Sequence, residues 1–278
     1  MRVTARFSRP MWVLVALLVS GLARAGDWPM WRCDARRGAA CGEELAPQLS
    51  LQWVREFPPL RPAWPPDSAR PDPQGARLLF DAVYESVAMG QTLFVGSSHD
   101  DRLVALDLET GIEKWAFYAD GPIRLAPAAS NGRVYFVSDD GHLYCLDAAK
   151  GSLLWKRRGG PSDRKVLGNG RLISAWPARG GPVVADGKVY FAAGIFPFLK
   201  TFIHALDAET GQPLWTTVSD QVAPQGPLAI VGERLGVPGG HSRPRLVRPQ
   251  DGEAGALFGG LSWRGQRRTG GLPSGRRS

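Results

Sequence analysis

Three stretches of this chain repeat one another, and that repetition constrains the fold more tightly than local propensity does. Residues 93–115 read LFVGSSHDDRLVALDLETGIEKW, residues 134–155 VYFVSDDGHLYCLDAAKGSLLW, and residues 189–215 VYFAAGIFPFLKTFIHALDAETGQPLW. Each holds an apolar triplet, a variable loop, a second apolar strand ending in Leu-Asp, then a glycine and a closing tryptophan. Asp107, Asp147 and Asp207 align, as do Gly111, Gly151 and Gly211, and Trp115, Trp155 and Trp215. The first two tryptophans lie 40 residues apart, the spacing of a four-stranded propeller blade, and insertions stretch the second interval to 60. Gly90-Gln91, Asn131-Gly132 and Asp186-Gly187 precede the triplets, and such pairs supply the positive φ that a tight hairpin turn needs. The spacing predicts an all-β chain, a β-propeller of four-stranded antiparallel blades.

The residues of the repeat are structural in kind. The aspartate accepts backbone N–H bonds in the turn that follows it, and the glycine takes a left-handed conformation without steric cost. The tryptophan falls on the fourth, outermost strand, where a wedge-shaped blade is widest. A side chain burying about 150–250 Å² is expected to fill that width. The strand cores read as nearly continuous apolar runs, as suits sheets covered on both faces.

The pattern apolar strand, Leu-Tyr-Cys/Ala-Leu-Asp, x-x-x-Gly, x-x-x-Trp resembles the PQQ-like repeat. That repeat occurs in quinoprotein dehydrogenases and in the propeller that assists bacterial outer-membrane protein assembly. The run Gly26-Asp27-Trp28-Pro29-Met30-Trp31-Arg32 and the later Leu51-Gln52-Trp53 also resemble the start of such exported propellers. Good matches cover about residues 87–218. A decayed fourth match runs over residues 227–261, with Val231-Gly232-Glu233 and Asp251-Gly252 as turns and no closing tryptophan. Three clear blades plus a decayed fourth leave the ring incomplete, since closed propellers typically hold about four to eight blades. Either divergent blades hide in residues 26–86 or the chain is a truncated member of a longer family, and truncation is the favoured expectation. Residues 49–54 resemble an outer strand able to pair with a C-terminal blade and close the ring.

The ends differ from the middle. Arg2, Arg6 and Arg9 precede an apolar run over residues 11–22, and Ala23-Arg24-Ala25 fits signal-peptidase cleavage, too short a run for a comfortable membrane span. Residues 1–25 are therefore expected to be a signal peptide cleaved near Ala25, placing the protein in a periplasm or secreted. Residues 26–86 form an N-terminal segment whose stretch 58–73 holds seven prolines and reads as a surface strap. Residues 87–261 carry the propeller repeats, and the Gly/Arg-rich residues 262–278 read as a disordered tail. The formal charge of +8 is an end effect: the signal contributes four arginines and residues 243–278 a net +6, leaving the body at −2. No motif supports specific nucleic-acid binding, and membrane contact is expected only by association. Cys33 and Cys41 bracket a short loop and are candidates for a disulfide, whereas Cys145 sits in a strand pattern as a small core residue.

In a four-stranded meander, the loops between second and third strands open on the same face as the connections between blades. Both long insertions belong to that face. Binding residues concentrate on loops carried by a rigid scaffold, so this face is the candidate partner-binding surface. The insertion at 157–179 offers Arg157, Arg158, Arg164, Lys165, Arg171, Trp176 and Arg179, a cationic set suited to an anionic ligand or an acidic protein surface. The insertion at 194–201 offers Phe196 and Phe198, which either anchor a partner or pack on the blade edge. His99, Asp100 and Asp101, and likewise Asp139, Asp140 and His142, read as turn residues rather than metal ligands. No nucleophile motif or phosphate loop occurs, so no catalytic residue is assigned.

The reading that follows is an exported, non-catalytic propeller acting as a binding or assembly module. The alternative is a PQQ-dependent oxidoreductase. The resemblance implies that such enzymes hold PQQ over the central channel with calcium and often a vicinal disulfide. No adjacent cysteine pair exists here, and no residue matches the family's catalytic aspartate. No cofactor is expected, with PQQ and calcium kept as the minority reading.

Overall fold

Apolar runs punctuated by turn glycines fold into four successive blades. The structure, a computed structural model, describes residues 26–45, 47–64, 81–168, 170–240 and 243–253. The expected signal peptide, most of the Pro-rich strap and the Gly/Arg-rich tail lie outside them. Blade 1 comprises β1 (Ser86–Met89), β2 (Thr92–Gly96), β3 (Arg102–Asp107) and β4 (Glu113–Tyr118), paired in sequence order. Blade 2 repeats this with β5 (Ala128–Ser130), β6 (Arg133–Val137), β7 (His142–Asp147) and β8 (Leu153–Arg158). A separate hairpin follows, β9 (Lys165–Gly168) with β10 (Arg171–Ser174). Blade 3 comprises β11 (Ala178–Ala185), β12 (Lys188–Ala193), β13 (Thr201–Asp207) and β14 (Pro213–Ser219), with the short β15 (Gly226–Pro227) parallel to β11. Among the described residues, blade 4 shows three strands, β16 (Ala229–Val231), β17 (Arg234–Val237) and β18 (Arg245–Val247). The all-β propeller expectation is met.

The repeat residues act locally as their chemistry requires. Asp107 Oδ1 accepts the N–H groups of Glu109 and Thr110, Asp147 Oδ1 those of Ala149 and Lys150, and Asp207 Oδ1 those of Glu209 and Thr210. In blade 4 the turn survives without its aspartate. Arg248 occupies that position, and Gly252 N still donates to Arg248 O at 2.9 Å.

The tryptophans depart from expectation. Each closes the gap to the following blade instead of filling its own. The Trp115 indole covers Gly151, Trp155 covers Gly211 and Trp215 covers Gly252, so that a Cβ on these glycines would lie about 2.5–2.6 Å from the ring. Each Nε1 also donates to a carbonyl of the same turn: Trp115 to Ala148 O at 3.1 Å, Trp155 to Glu209 O at 3.0 Å, Trp215 to Pro249 O at 2.9 Å. A register shift recurs just before every tryptophan, between Ala105/Leu106, Cys145/Leu146 and Ala205/Leu206 of the paired strand. Such bulges re-aim a side chain, here from the blade's own edge toward its neighbour. Glycine is required twice over at the seat, for space and for its positive φ of 69° at both Gly151 and Gly211.

Residues 49–54 pair with no strand among the described residues. Trp53 instead covers Gly111, and its Nε1 donates to Leu108 O at 3.0 Å, the same joint at the front of blade 1. Closer to the axis, residues 27–39 cross the innermost strands. Trp28 exchanges backbone hydrogen bonds with Ala88, Pro29 O accepts from Ala129 N, and Ala35 O accepts from Ile230 N. Arg37 donates to Pro182 O at 2.9 Å and Leu228 O at 2.7 Å, so one segment ties all four blades. Burial lowers the Arg37 guanidinium to about 10. The turn from Arg32 to Ala39 closes on its own backbone bonds and leads to an exposed Cys41, and Cys33 and Cys41 are free thiols rather than a bridge. Cys145 is buried as expected.

His204 of β13 is held between blades. Its Nδ1 lies 3.0 Å from Thr216 Oγ1 and its Nε2 2.9 Å from Gly159 O, with the ring stacked on Phe191. Burial, followed by the Arg157 charge, lowers the imidazole to about 4. The unfolded chain therefore binds a proton that the native state refuses between pH 6.5 and 4. Stability is full above that window and falls as pH drops through it, by on the order of 3 kcal/mol. Urea titrations at pH 7 and pH 4.5 are expected to show a smaller acid loss in His204→Gln than in the wild type. For the joints, Trp115→Ala is expected to cost about 3 kcal/mol. Its combination with Gly151→Ala should fall short of additivity by more than about 0.5 kcal/mol, because the two substitutions break one contact. A double-mutant cycle measured by urea denaturation checks this.

Candidate functional site

The face formed by the β2–β3, β6–β7 and β12–β13 loops and the inter-blade connections is built over a buried ionic network. Asp139, in the β6–β7 loop, receives Arg179 Nε at 2.8 Å and Nη2 at 2.9 Å, and Arg124 Nε at 2.6 Å. Arg124 Nη1 donates to Asp81 Oδ2 and to Arg61 O, each at 2.6 Å, and the Trp64 ring lies 5.5 Å from the Arg179 guanidinium carbon. All four charged side chains are buried, and the two arginines and two aspartates balance. Burial alone would raise the Asp139 carboxyl; the Arg179 and Arg124 charges outweigh it and hold the group below the usual carboxylate range. Paired and desolvated in this way, the network ties the segment before β1, the connection between blades 1 and 2, the β6–β7 loop and β11 to one another.

Above it the first insertion folds back as the β9–β10 hairpin instead of running as an open loop. Arg171 reaches across to blade 1, pairing with Asp101 and donating to Ser98 O at 3.2 Å. Ser174 N donates to Asp139 O and Ala175 N to Arg164 O, both at 2.8 Å. Ile173 is buried, whereas Leu167 and Leu172, paired across the hairpin, are 75% and 66% exposed. Arg164 and Lys165 are exposed beside them.

The structure thus separates the residues singled out in the sequence. Arg164 and Lys165 are on the open surface. Arg157 and Arg158 belong to β8, and Arg157 donates to Gly211 O across the blade joint. Arg179 is corrected most: it lies in β11, buried, and its charge is spent on Asp139. Trp176 is buried beneath the hairpin and its Nε1 donates to Leu199 O at 2.8 Å, tying the first insertion to the second. The second insertion is a single 3-10 turn, Pro197–Leu199, in which Phe196 is half-buried and Phe198 is 80% exposed, their rings 5.5 Å apart. Sequence reasoning missed Arg124 and Asp81, which carry no local signal. It also missed Leu167 and Leu172, although the Asn169-Gly170 pair between them is a hairpin signal. The acidic loop residues are engaged internally, Asp100 with Arg102 Nε at 2.6 Å and Asp140 with Tyr144. No group of three His, Cys, Asp or Glu side chains suited to a metal ion occurs among the described residues.

Comparison with known proteins agrees with this architecture. The family model described as outer membrane protein assembly factor BamB matches residues 19–175. The chain belongs to that family. Among curated proteins, it is 34% identical over 126 residues to the dehydrogenase subunit of the quinone alcohol dehydrogenase of Gluconobacter oxydans, a match covering 41% of this chain and 16% of the relative. A 30% identity over 157 residues links it to the serine/threonine-protein kinase AfsK of Streptomyces griseus, covering 53% of this chain and 18% of the kinase. Among solved structures, the quinohemoprotein alcohol dehydrogenase of Comamonas testosteroni superposes with a TM-score of 0.60 at 18% identity, covering 86% of this chain and 42% of that one. That likeness concerns the fold. The chain spans under a fifth of the length of the curated relatives it matches.

The ionic network yields a direct test. Asp139→Asn keeps the shape and leaves two buried arginines short of their counter-charge, and is expected to destabilise by about 3–5 kcal/mol. The same change at exposed Asp163 should shift the urea midpoint little.

Proposed function

We propose that this chain is an exported, non-catalytic propeller module that binds a protein partner through the face carrying β9–β10 and the Pro197–Leu199 turn. The observation that carries this reading is the Leu167–Leu172 pair, held outward on a hairpin whose base is pinned to two blades. An exposed apolar centre with a polar rim is the anatomy of a protein interface. Arg164 and Lys165 supply a cationic rim, which favours an acidic partner surface and speeds encounter. Phe198 adds an exposed aromatic to the same face. The family's role as an assembly factor agrees with a binding role, and the basic-then-apolar start of the chain agrees with a place outside the cytoplasm.

The similarity to quinone alcohol dehydrogenases raises the second reading, a PQQ enzyme. The residues here do not fit that group. The buried arginines that would meet an anionic quinone are already paired with Asp139 and Asp81, and Trp64 lies against Arg179. The described carboxylates form no cation-binding set, and no two cysteines are adjacent.

A photo-reactive residue at position 172, introduced in the native host, is expected to crosslink one defined envelope protein. The combination Leu167→Asp, Arg164→Ala and Lys165→Ala should lower that yield at least tenfold while leaving the urea midpoint unchanged. Undiminished crosslinking would overturn the assignment of this face. Calorimetric titration with PQQ, with and without calcium, is expected to give no saturable heat; calcium-dependent binding would favour the enzyme reading.

A further inference from the structure

Cys33 and Cys41 flank the mouth of one strained turn, and from their placement we propose that they are an oxidisable pair whose disulfide fastens the segment that ties the blades together. The turn is closed by Ala39 N, which donates to Arg32 O at 2.9 Å. Inside it, Arg37 N donates to Asp34 O at 3.0 Å and Gly38 N to Asp34 Oδ1 at 2.8 Å. Cys33 follows Arg32 just within the closing bond, and Cys41 lies two residues beyond Ala39. Cys41 is exposed, its Sγ 3.9 Å from Glu43 O, and residues 40–41 belong to no strand. Two residues of chain reach about 7 Å, so a swing of residues 40–41 is enough to bring the two Cα atoms to the roughly 4.4–6.8 Å that a disulfide spans. The thiols already feel one another: burial first, then the charges of Asp34 and Cys41, raise the Cys33 thiol above its ordinary range. Arg32, Cys33, Arg37 and Ala39 take positive φ of 56°, 80°, 61° and 54°, a conformation that side chains other than glycine adopt at a cost. In the dithiol form hydrogen bonds alone hold them there. A covalent clasp across the mouth holds them in both backbone and chain order.

What the clasp encloses gives it its effect. The loop between the cysteines carries Ala35, whose carbonyl accepts from Ile230 N, and Arg37, which donates to Pro182 O and Leu228 O. It follows directly on Trp28 and Pro29, which bond Ala88 and Ala129. The reaction is thiol–disulfide exchange with an oxidant that itself carries a disulfide. Exposed Cys41 is the entry point: its thiolate attacks one sulfur of the oxidant, forming a mixed disulfide and releasing one thiol. Half-buried Cys33 resolves it. Its thiolate attacks Cys41 Sγ, breaks the mixed disulfide, expels the oxidant's second thiol and leaves the 33–41 bond. Two protons and two electrons pass from the protein to the oxidant, which departs as two thiols, and excess dithiol reverses the exchange. Cys145 takes no part, since it is buried in β7 with its thiol pushed up to about 12.

To test the pairing, the purified folded protein is equilibrated in glutathione buffers from fully reduced to fully oxidised, its free thiols are blocked, and it is denatured and digested with trypsin. Cleavage after Arg32, Arg36, Arg37 and Arg55 separates the cysteines, so the bridge is expected as residues 33–36 joined to residues 38–55. Cys33→Ser should keep one glutathione on Cys41, whereas Cys41→Ser should acquire glutathione on Cys33 at least tenfold more slowly. Closing the bridge is expected to lower the unfolding equilibrium constant in urea at least about tenfold. Hydrogen exchange at the Ile230 amide, which donates to Ala35 O, should slow with it. In the chain carrying both serines the oxidant should change neither quantity. Glutathione on both cysteines without the joined peptide would overturn the pairing, as would a bond to Cys145 or between two copies. So would a protein that stays a dithiol in fully oxidised glutathione, or a bridge that leaves the urea midpoint where the dithiol has it.

Discussion

Indole over glycine is the joint on which the remainder of this structure hangs. A four-stranded blade buries its two faces only when other blades stand against them, so the angle and spacing between sheets must be held by something. Here the outermost strand of each blade reaches forward, and its tryptophan takes two contacts from the next blade, a flat face on a glycine and an N–H bond to a turn carbonyl. Both need the same turn in the same conformation. The aspartate that caps the turn, the glycine that lets it close and the tryptophan that lies on it are therefore one device distributed over two blades. Blade 4 shows which parts are separable: Arg248 replaces the aspartate and the turn persists, whereas Gly252 remains under Trp215.

At the inner edge the task is different, because the free side of each innermost strand would otherwise leave backbone groups unpaired. Two devices meet it. Residues 27–39 run across all four blades and satisfy backbone groups on each, with Arg37 bridging carbonyls of blades 3 and 4. On the other side Asp139 gathers Arg124 and Arg179, and Arg124 extends to Asp81. Buried charges in such a network cost desolvation that only full pairing offsets, so its worth lies in fixing which connections lie together. That rigidity gives the β9–β10 hairpin a firm base from which to hold leucines outward.

The charges of this network are spent on the propeller's own architecture. The family to which the chain belongs is named for assembly, and related blades also stand in enzymes and in a kinase. The same scaffold serves different ends because function is carried by what the loops present. In this chain the long-loop face presents an apolar pair and a cationic rim.

Strand order, turn positions and blade boundaries were legible in the sequence. Alternation of apolar runs with Asn-Gly, Asp-Gly and Asp-x-x-x-Gly turns is a local code, read over a few residues, and β1 to β8 and β12 to β14 fall where that code puts them. The partner of each tryptophan was not legible, since Gly151 and Trp115 meet only once two blades have docked. Nor was the fate of the cationic insertion. Arg164 and Arg179 look alike in a one-dimensional reading, and only the packing makes one a surface charge and the other the buried partner of an aspartate 40 residues away. Local chemistry fixes turns and strands because their hydrogen bonds close within a few residues. Burial, and with it the difference between a surface arginine and a structural one, is decided between blades, by groups that the sequence holds far apart.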